Sequence, residues 1–227
     1  HNGRRRQRQM CIRDRPQASR TAKGRPLVNL IELDEQERVT SLLDVQSFED
    51  EAFVFMATQN GIIKKTPLSE FKRPRKNGKR AIKLDENDEL VGTLLTNGSA
   101  DLMVVSNAGK AVFFNEKDAR SMGRDTRGVK GITLDRNQQV ISLLKPSKES
   151  EILTVSENGY GKRSKVSDFR KTKRGAKGVI AMQTTQRNGD LISAKEVSDT
   201  DEVILITNKG MLAVSYTHLR AHETIAD

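Results

Sequence analysis

Three sequence elements recur in the same order four times along this chain, and that repetition limits the fold more than any single residue does. A turn glycine recurs at Gly61, Gly109, Gly159 and Gly210. Each follows a short β-rich run: Phe53–Thr58, Leu102–Ser106, Ile152–Ser156 and Val203–Thr207. In three copies an asparagine, Asn60, Asn158 or Asn208, sits beside or just before the glycine. Asn-Gly between apolar strands is a strong hairpin signal, because both residues tolerate positive φ. A second periodic run precedes each hairpin, at Val39–Leu43, Leu90–Leu95, Val140–Leu144 and Leu191–Ala194. Ahead of that run comes a basic, glycine-containing loop leading into an apolar strand: Arg20–Leu33, Arg73–Leu84, Arg124–Leu134 and Arg170–Met182. Turns at Asp34–Glu37, Asp85–Glu89, Asp135–Gln138 and, more weakly, Asn188–Asp190 collect the acids.

Successive units start about 50 residues apart, the spacing of propeller-type blades. Each unit offers about four short strands and too little apolar surface to fold alone. Radial stacking would bury the strand faces and shield the sheet edges. The expected fold is all-β, a β-propeller-like array of about four blades of four short strands, incomplete at both ends. The blades fall roughly at 16–71, 72–119, 120–169 and 170–213. Helical pattern is scarce, with Pro67–Phe71 and Glu116–Arg120 offering at most a turn each.

The two ends break the pattern. Residues 1–15 contain MCIRDR and residues 214–227 contain YTHLRAHET, both resembling translated sequencing-adapter DNA. Both are read as non-native extensions flanking a domain at 16–213 and are set aside from fold reasoning. The whole chain carries a formal +10; removing +5 from the first end and −1 from the last leaves a core of +6. The single cysteine, Cys11, and the histidines His1, His218 and His222 also lie in those ends. A core without either residue type offers no zinc site, thiol nucleophile or histidine base.

Lysine and arginine recur at one place in the unit, so they should recur at one place on the fold. The candidate set is Arg20, Lys23 and Arg25; then Arg73, Arg75, Lys76, Lys79 and Arg80; then Arg120, Arg124, Arg127 and Lys130; then Arg170, Lys171, Lys173, Arg174 and Lys177. The basic strands after the turns add Lys64, Lys65, Lys162 and Arg163. Four loops in phase, with acids kept to another part of the unit, predict a curved basic track for a polyanion. Glycines in the loops would let backbone N–H groups approach phosphates. Phe53, Phe55, Phe113 and Phe114 lie in strands and read as core, so base stacking on them is not expected. No helix is patterned to enter a major groove. The expected ligand is duplex DNA, held through its phosphates and curved along the rim.

No Gly-x-x-x-x-Gly-Lys-Ser/Thr loop occurs, so no ATP site is expected within the chain. Tyr160, in Asn158–Arg163, reads as a hairpin-packing residue, and catalytic and metal-binding residues are both expected to be absent. No run of eighteen apolar residues occurs, and no membrane association is expected.

Gln17–Leu30, Phe55–Lys65, Gly123–Leu134, Asn158–Arg163 and Lys177–Ala181 resemble the C-terminal domain of the bacterial DNA gyrase A protein. The resemblance covers Pro16–Ala213 and implies a β-pinwheel, a propeller whose blades exchange a strand with their neighbours. It further implies duplex DNA wrapped around the rim with positive handedness, in support of ATP-dependent negative supercoiling by a type II topoisomerase. The implied setting is the bacterial cytoplasm, at the nucleoid. The implied partners are the gyrase A catalytic core and gyrase B, in an A2B2 assembly. ATP and Mg²⁺ would bind outside this segment, which would itself catalyse nothing. The family's glutamine-arginine-arginine-glycine-glycine-lysine-glycine box is absent, and Arg174–Gly178 only echoes it. On that resemblance the first blade, at least the last one and an acidic tail would lie outside the sequence. The equivalent C-terminal domain in topoisomerase IV, and a propeller that binds acidic proteins, are the alternative readings.

Overall fold

The computed structural model describes residues 19–23, 38–48, 51–73 and 79–216. The repeated hairpins form where the turn glycines predict them. Strands β1 (Phe53–Thr58) and β2 (Ile62–Pro67) meet at Gly61, and β4 (Asp101–Ser106) and β5 (Lys110–Asn115) at Gly109. Strands β8 (Glu151–Ser156) and β9 (Gly161–Lys165) meet at Gly159, and β12 (Glu202–Ile206) and β13 (Leu212–Tyr216) at Gly210. Each turn glycine donates its N–H three residues back: to Thr58 O at 3.0 Å, Ser106 O at 3.0 Å, Ser156 O at 3.0 Å and Thr207 O at 2.9 Å. In these turns only the glycines take positive φ, at 81°, 71°, 81° and 79°. The preceding asparagines do not, which corrects the expectation of two left-handed residues per turn. One left-handed residue after an ordinary turn closes the hairpin.

Partner choice follows a rule that the order of elements along the chain conceals. The run before each hairpin pairs with the hairpin of the preceding unit. Thus β3 (Leu90–Thr96) pairs with β1, β7 (Val140–Leu144) with β4, and β11 (Leu191–Val197) with β8, all antiparallel. The strand of each basic loop reaches one unit further back. β6 (Val129–Lys130) pairs with β2, and β10 (Val179–Ile180) with β5. The sheets therefore run β3-β1-β2-β6, β10-β5-β4-β7, β11-β8-β9 and β12-β13. Each four-stranded sheet gathers strands from three successive units, which is the strand exchange of a β-pinwheel. The helical content is three single 3₁₀ turns among the described residues, at Leu68–Phe71, Glu116–Asp118 and Val166–Asp168.

Period-two alternation puts successive side chains on opposite faces, and in β1 and β4 both faces are buried. Phe55 and Ala57 of β1 face Leu102 and Val104 of β4 in one core, where the Phe55 and Phe114 rings stand 6.2 Å apart. Met103 and Val105, on the other face of β4, join Ile152, Val166, Phe169 and Leu191 in the next core. Val54 and Met56 face the opposite way, onto Leu68, Phe71, Ala81 and Ile82. Sheets thus stack face to face around the array.

Gly109 shows how closely the exchanged strand lies. Its carbonyl accepts Ala181 N–H at 2.8 Å and Met182 N–H at 3.2 Å. A Cβ on Gly109 would fall 1.9 Å from Met182 O, whereas one on Gly210 would meet nothing within 4 Å. Gly210→Ala should therefore cost only the left-handed strain of about 1–2 kcal/mol. Gly109→Ala should cost clearly more, about 3 kcal/mol or above, because the exchanged strand must also move. Denaturant unfolding of the two variants reads the difference, and equal losses would mean that β10 does not sit on β5.

Candidate nucleic-acid interface

Strand exchange decides where the basic loops go. The third loop leaves the 3₁₀ turn at Glu116–Asp118, and Met122 N–H donates to Lys65 O at 2.9 Å. It then runs along the outer edge of β2 until Gly131 and Ile132 donate to Gly61 O, at 2.8 and 3.4 Å. The fourth loop repeats the course on β5: Thr172 donates to Phe113 O at 2.7 Å, and Ala181 and Met182 close on Gly109 O. Arg120 and Arg170 therefore hold matching positions on neighbouring sheets, as do Arg127 and Lys177.

Neighbouring loops are also bonded to each other. Gly175 donates to Gly131 O at 2.6 Å, Thr133 N–H donates to Ala176 O at 2.9 Å, and Thr133 Oγ1 donates to Gly175 O at 2.7 Å. One unit earlier, Lys83 N–H donates to Thr126 O at 3.0 Å. Along these joined loops Arg120, Arg127, Lys130, Arg170, Lys171, Lys173 and Lys177 are exposed. Arg20, Lys23 and Arg73 are exposed as well, while Arg25, Arg75 and Lys76 lie outside the described residues.

Two candidates are not on the surface. Lys64 is fully buried, and Lys65 is 6% exposed. Lys64 Nζ donates to Ala81 O at 2.7 Å, to Thr126 O at 3.1 Å and to Arg124 O, joining two successive loops from inside. Lys65 Nζ donates to Glu116 O at 3.2 Å, lies 3.8 Å from the Glu116 carboxylate and stands over the Phe53 ring. That burial takes both out of the interface. The repeat itself held the signal, since Val112 and Phe113 occupy the same register in the next hairpin.

Other candidates are tethered by neighbours. Arg163 pairs with Glu151 and Asp199; burial works against its charge, but hydrogen bonds to those carboxylates raise its pKa overall. Lys162 Nζ donates to Ala181 O at 3.2 Å, and Lys79 Nζ donates to Lys72 O. Arg80 lies 3.9 Å from Asp125, and Arg127 pairs with Asp85. Lys171 lies 2.5 Å from Asp101. Burial raises the Asp101 pKa, but hydrogen bonds from Lys171 and Asn115 outweigh it and carry it below the usual value. Acids are therefore less cleanly separated from the loops than the sequence suggests, because exchange brings Asp85 and Asp101 within reach of later units. Arg124 and Arg174 point to backbone carbonyls of the neighbouring loop.

Lys83, Lys117 and Lys165 are exposed cations outside the candidate set. Lys117 follows Glu116 and precedes Asp118, so it looks neutralised. In the structure Glu116 is buried, its carboxylate accepting Ala100 N–H at 2.7 Å and Thr96 Oγ1–H at 2.8 Å, which leaves Lys117 outside beside the loop. Tyr160 packs on the core beside β8, and its hydroxyl accepts from Arg187 Nε at 2.9 Å. Among the described residues no group of three or more His, Cys, Asp or Glu is placed to hold a metal. No helix of the described residues is long and apolar enough to cross a membrane.

Desolvation lowers the Lys64 pKa from 10.5 to about 8, opposed by Asp125 and assisted by Arg124. Between those values the unfolded chain binds the proton that the folded chain has released, so stability rises with pH across that window. In Lys64→Met that rise should vanish and three carbonyls lose a donor, a loss of about 2–4 kcal/mol near neutrality. Urea unfolding of both proteins from pH 8 to pH 10.5 checks the sign. The gap between parent and variant should widen as pH rises.

A stack of strand-exchanging antiparallel blades, with basic loops laid along its outer strands, defines a propeller domain of the β-pinwheel class. Residues 16–46, 52–97, 100–147 and 150–198 match the family described as DNA gyrase C-terminal domain, beta-propeller, and the chain belongs to that family. It is 46% identical over 197 residues to the DNA gyrase A protein of Klebsiella oxytoca, covering 87% of this chain and 22% of that protein. It is likewise 46% identical over 203 residues to the DNA gyrase A protein of Escherichia coli K12, covering 89% of this chain and 23% of that protein. The chain thus spans less than a quarter of the length of these curated relatives. Among solved structures, the C-terminal domain of DNA topoisomerase IV superposes with a TM-score of 0.80 at 28% identity, covering 85% of this chain and 61% of that one. The DNA gyrase A C-terminal domain superposes with a TM-score of 0.76 at 28% identity, covering 86% and 66%.

Proposed function

We propose that this chain binds duplex DNA through its phosphates and wraps it along the outer strands, as a non-catalytic module of a gyrase A protein. In the whole enzyme it would work with the gyrase A catalytic core and with gyrase B, and those parts would carry the ATP and Mg²⁺ chemistry of negative supercoiling. One observation carries the reading: the third and fourth basic loops are bonded to each other and hold Arg120 with Arg170, and Arg127 with Lys177, in matching positions. Cations repeated at a fixed step suit a ligand whose charge also repeats at a fixed step. Among the described residues no helix longer than a single 3₁₀ turn is present to enter a groove, so the binding would tolerate many sequences. The family assignment and the gyrase A relatives favour gyrase over topoisomerase IV, although both folds superpose well.

Binding should weaken steeply with salt, since each phosphate neutralised releases counterions. About 6–10 contacts would lower affinity roughly 10³–10⁵-fold between 50 and 200 mM salt. Substituting Arg120 and Arg170 together by Ala should reduce the salt slope by about 2. Nicked plasmid religated with the chain bound should shift towards positive linking number. Salt-insensitive binding, or none to duplex DNA, would overturn the reading. Binding without a linking-number shift would leave DNA attachment but refute wrapping by this segment, and would favour the topoisomerase IV alternative.

A further inference from the structure

We propose that Arg174, and one unit earlier Arg124, are positioning residues that fix the step between successive basic loops, and do not themselves hold phosphate. This rests on the DNA reading above and refines it. The Arg174 guanidinium makes two separate contacts, one on each of the two preceding units. Nε donates to Asp118 O at 2.9 Å, at the end of the 3₁₀ turn, and Nη1 donates to Lys130 O at 3.0 Å, on β6. The next residue, Gly175, continues the contact by donating to Gly131 O.

Arg124 approaches the corresponding groups one unit earlier. Its Nη1 lies 3.5 Å from Arg80 O, and its Nε lies 3.7 Å from the carboxylate of Glu70, in the 3₁₀ turn that follows the preceding hairpin as Asp118 does in the next. Arg80 and Lys130 hold the same place in their loops, as do Lys83 and Thr133, whose N–H groups donate to Thr126 O and Ala176 O. Arg124 thus reaches towards the same two elements, but its buried Nε has no hydrogen-bond partner, and the two-acceptor fork is complete at Arg174. A planar guanidinium can satisfy two acceptors in fixed directions at once, which a lysine ammonium on a flexible stem does not reproduce. In Arg174 Nε and Nη1 are taken by backbone carbonyls and the residue is half-buried, while Arg120, Lys130, Arg170, Lys173 and Lys177 stay exposed on the same loops. The arginine in the degenerate box echo Arg174–Gly178 therefore sets geometry, and Lys177 beside it faces outward.

The test is Arg174→Lys, which keeps the charge and removes the fork, set beside Lys177→Ala, which removes an exposed charge. Affinity is measured for a short duplex of about one helical turn, ~10 base pairs, and for one of about 40 base pairs that can follow several turns. Arg174→Lys should hold short-duplex affinity within about twofold, while the long duplex weakens about tenfold, a difference of about 1.4 kcal/mol. Lys177→Ala should weaken both. Hydrogen exchange at the Gly175 and Thr133 amides, read without DNA, should quicken in Arg174→Lys. Equal losses at both lengths would make Arg174 a phosphate ligand and overturn the proposal, as would unchanged exchange at both amides. Failure of the parent chain to bind either duplex would instead overturn the DNA reading, and the exchange measurement would still decide whether the fork sets the loops.

Discussion

The carbonyl of a hairpin glycine accepts N–H groups from a strand that arrives two repeats later, and the outer architecture depends on that contact. At Gly61 and Gly109 the turn needs a left-handed residue, and the incoming strand needs a surface without a Cβ. Glycine meets both demands at one position. Because the incoming strand is the end of a basic loop, the same bonds that complete the sheet also lay each loop along its outer edge. Sheet completion and placement of the charges are one event.

The cations fall into four roles, one of which is the pairing of Arg80, Arg127, Arg163 and Lys171 with nearby carboxylates. Lys64 and Lys65 act inside, where Lys64 ties carbonyls of two loops and Lys65 meets the buried Glu116. Arg124 and Arg174 act between loops. Exposed residues such as Arg120, Lys130, Arg170, Lys173 and Lys177 face solvent and are the ones a polyanion can reach. A net charge of +10 says nothing about this division, and part of it lies in the two irregular ends. Which carbonyl or carboxylate stands opposite each side chain decides its role.

The hairpins were legible because turn glycine and alternating apolar residues are local signals: β1, β4, β8 and β12 fall within a residue of the runs read from sequence. Partner choice was not legible. An alternating run such as Leu90–Leu95 announces a strand, but nothing in it says that its partner is β1 behind it and not the hairpin ahead. Likewise Lys64 and Lys65 look like surface residues until two distant loops are seen to close over them. Aligning the repeats would have raised the question, because Val112 and Phe113 hold those places one unit later. The fork made by Arg174 was hidden for the same reason, its acceptors being backbone atoms of two earlier units.

On the proposed reading, loops held at a fixed step should bend a duplex that follows them. Energy transfer between dyes on the two ends of a duplex of about 40 base pairs measures this directly, since such a duplex is far shorter than its ~150 base-pair persistence length and stays nearly straight when free. Wrapping along successive outer strands predicts a rise in transfer on binding, present in the parent chain and reduced in Arg174→Lys at saturating protein. Saturable binding with transfer unchanged from the free duplex would contradict it, and would leave the repeated basic loops as a flat attachment surface.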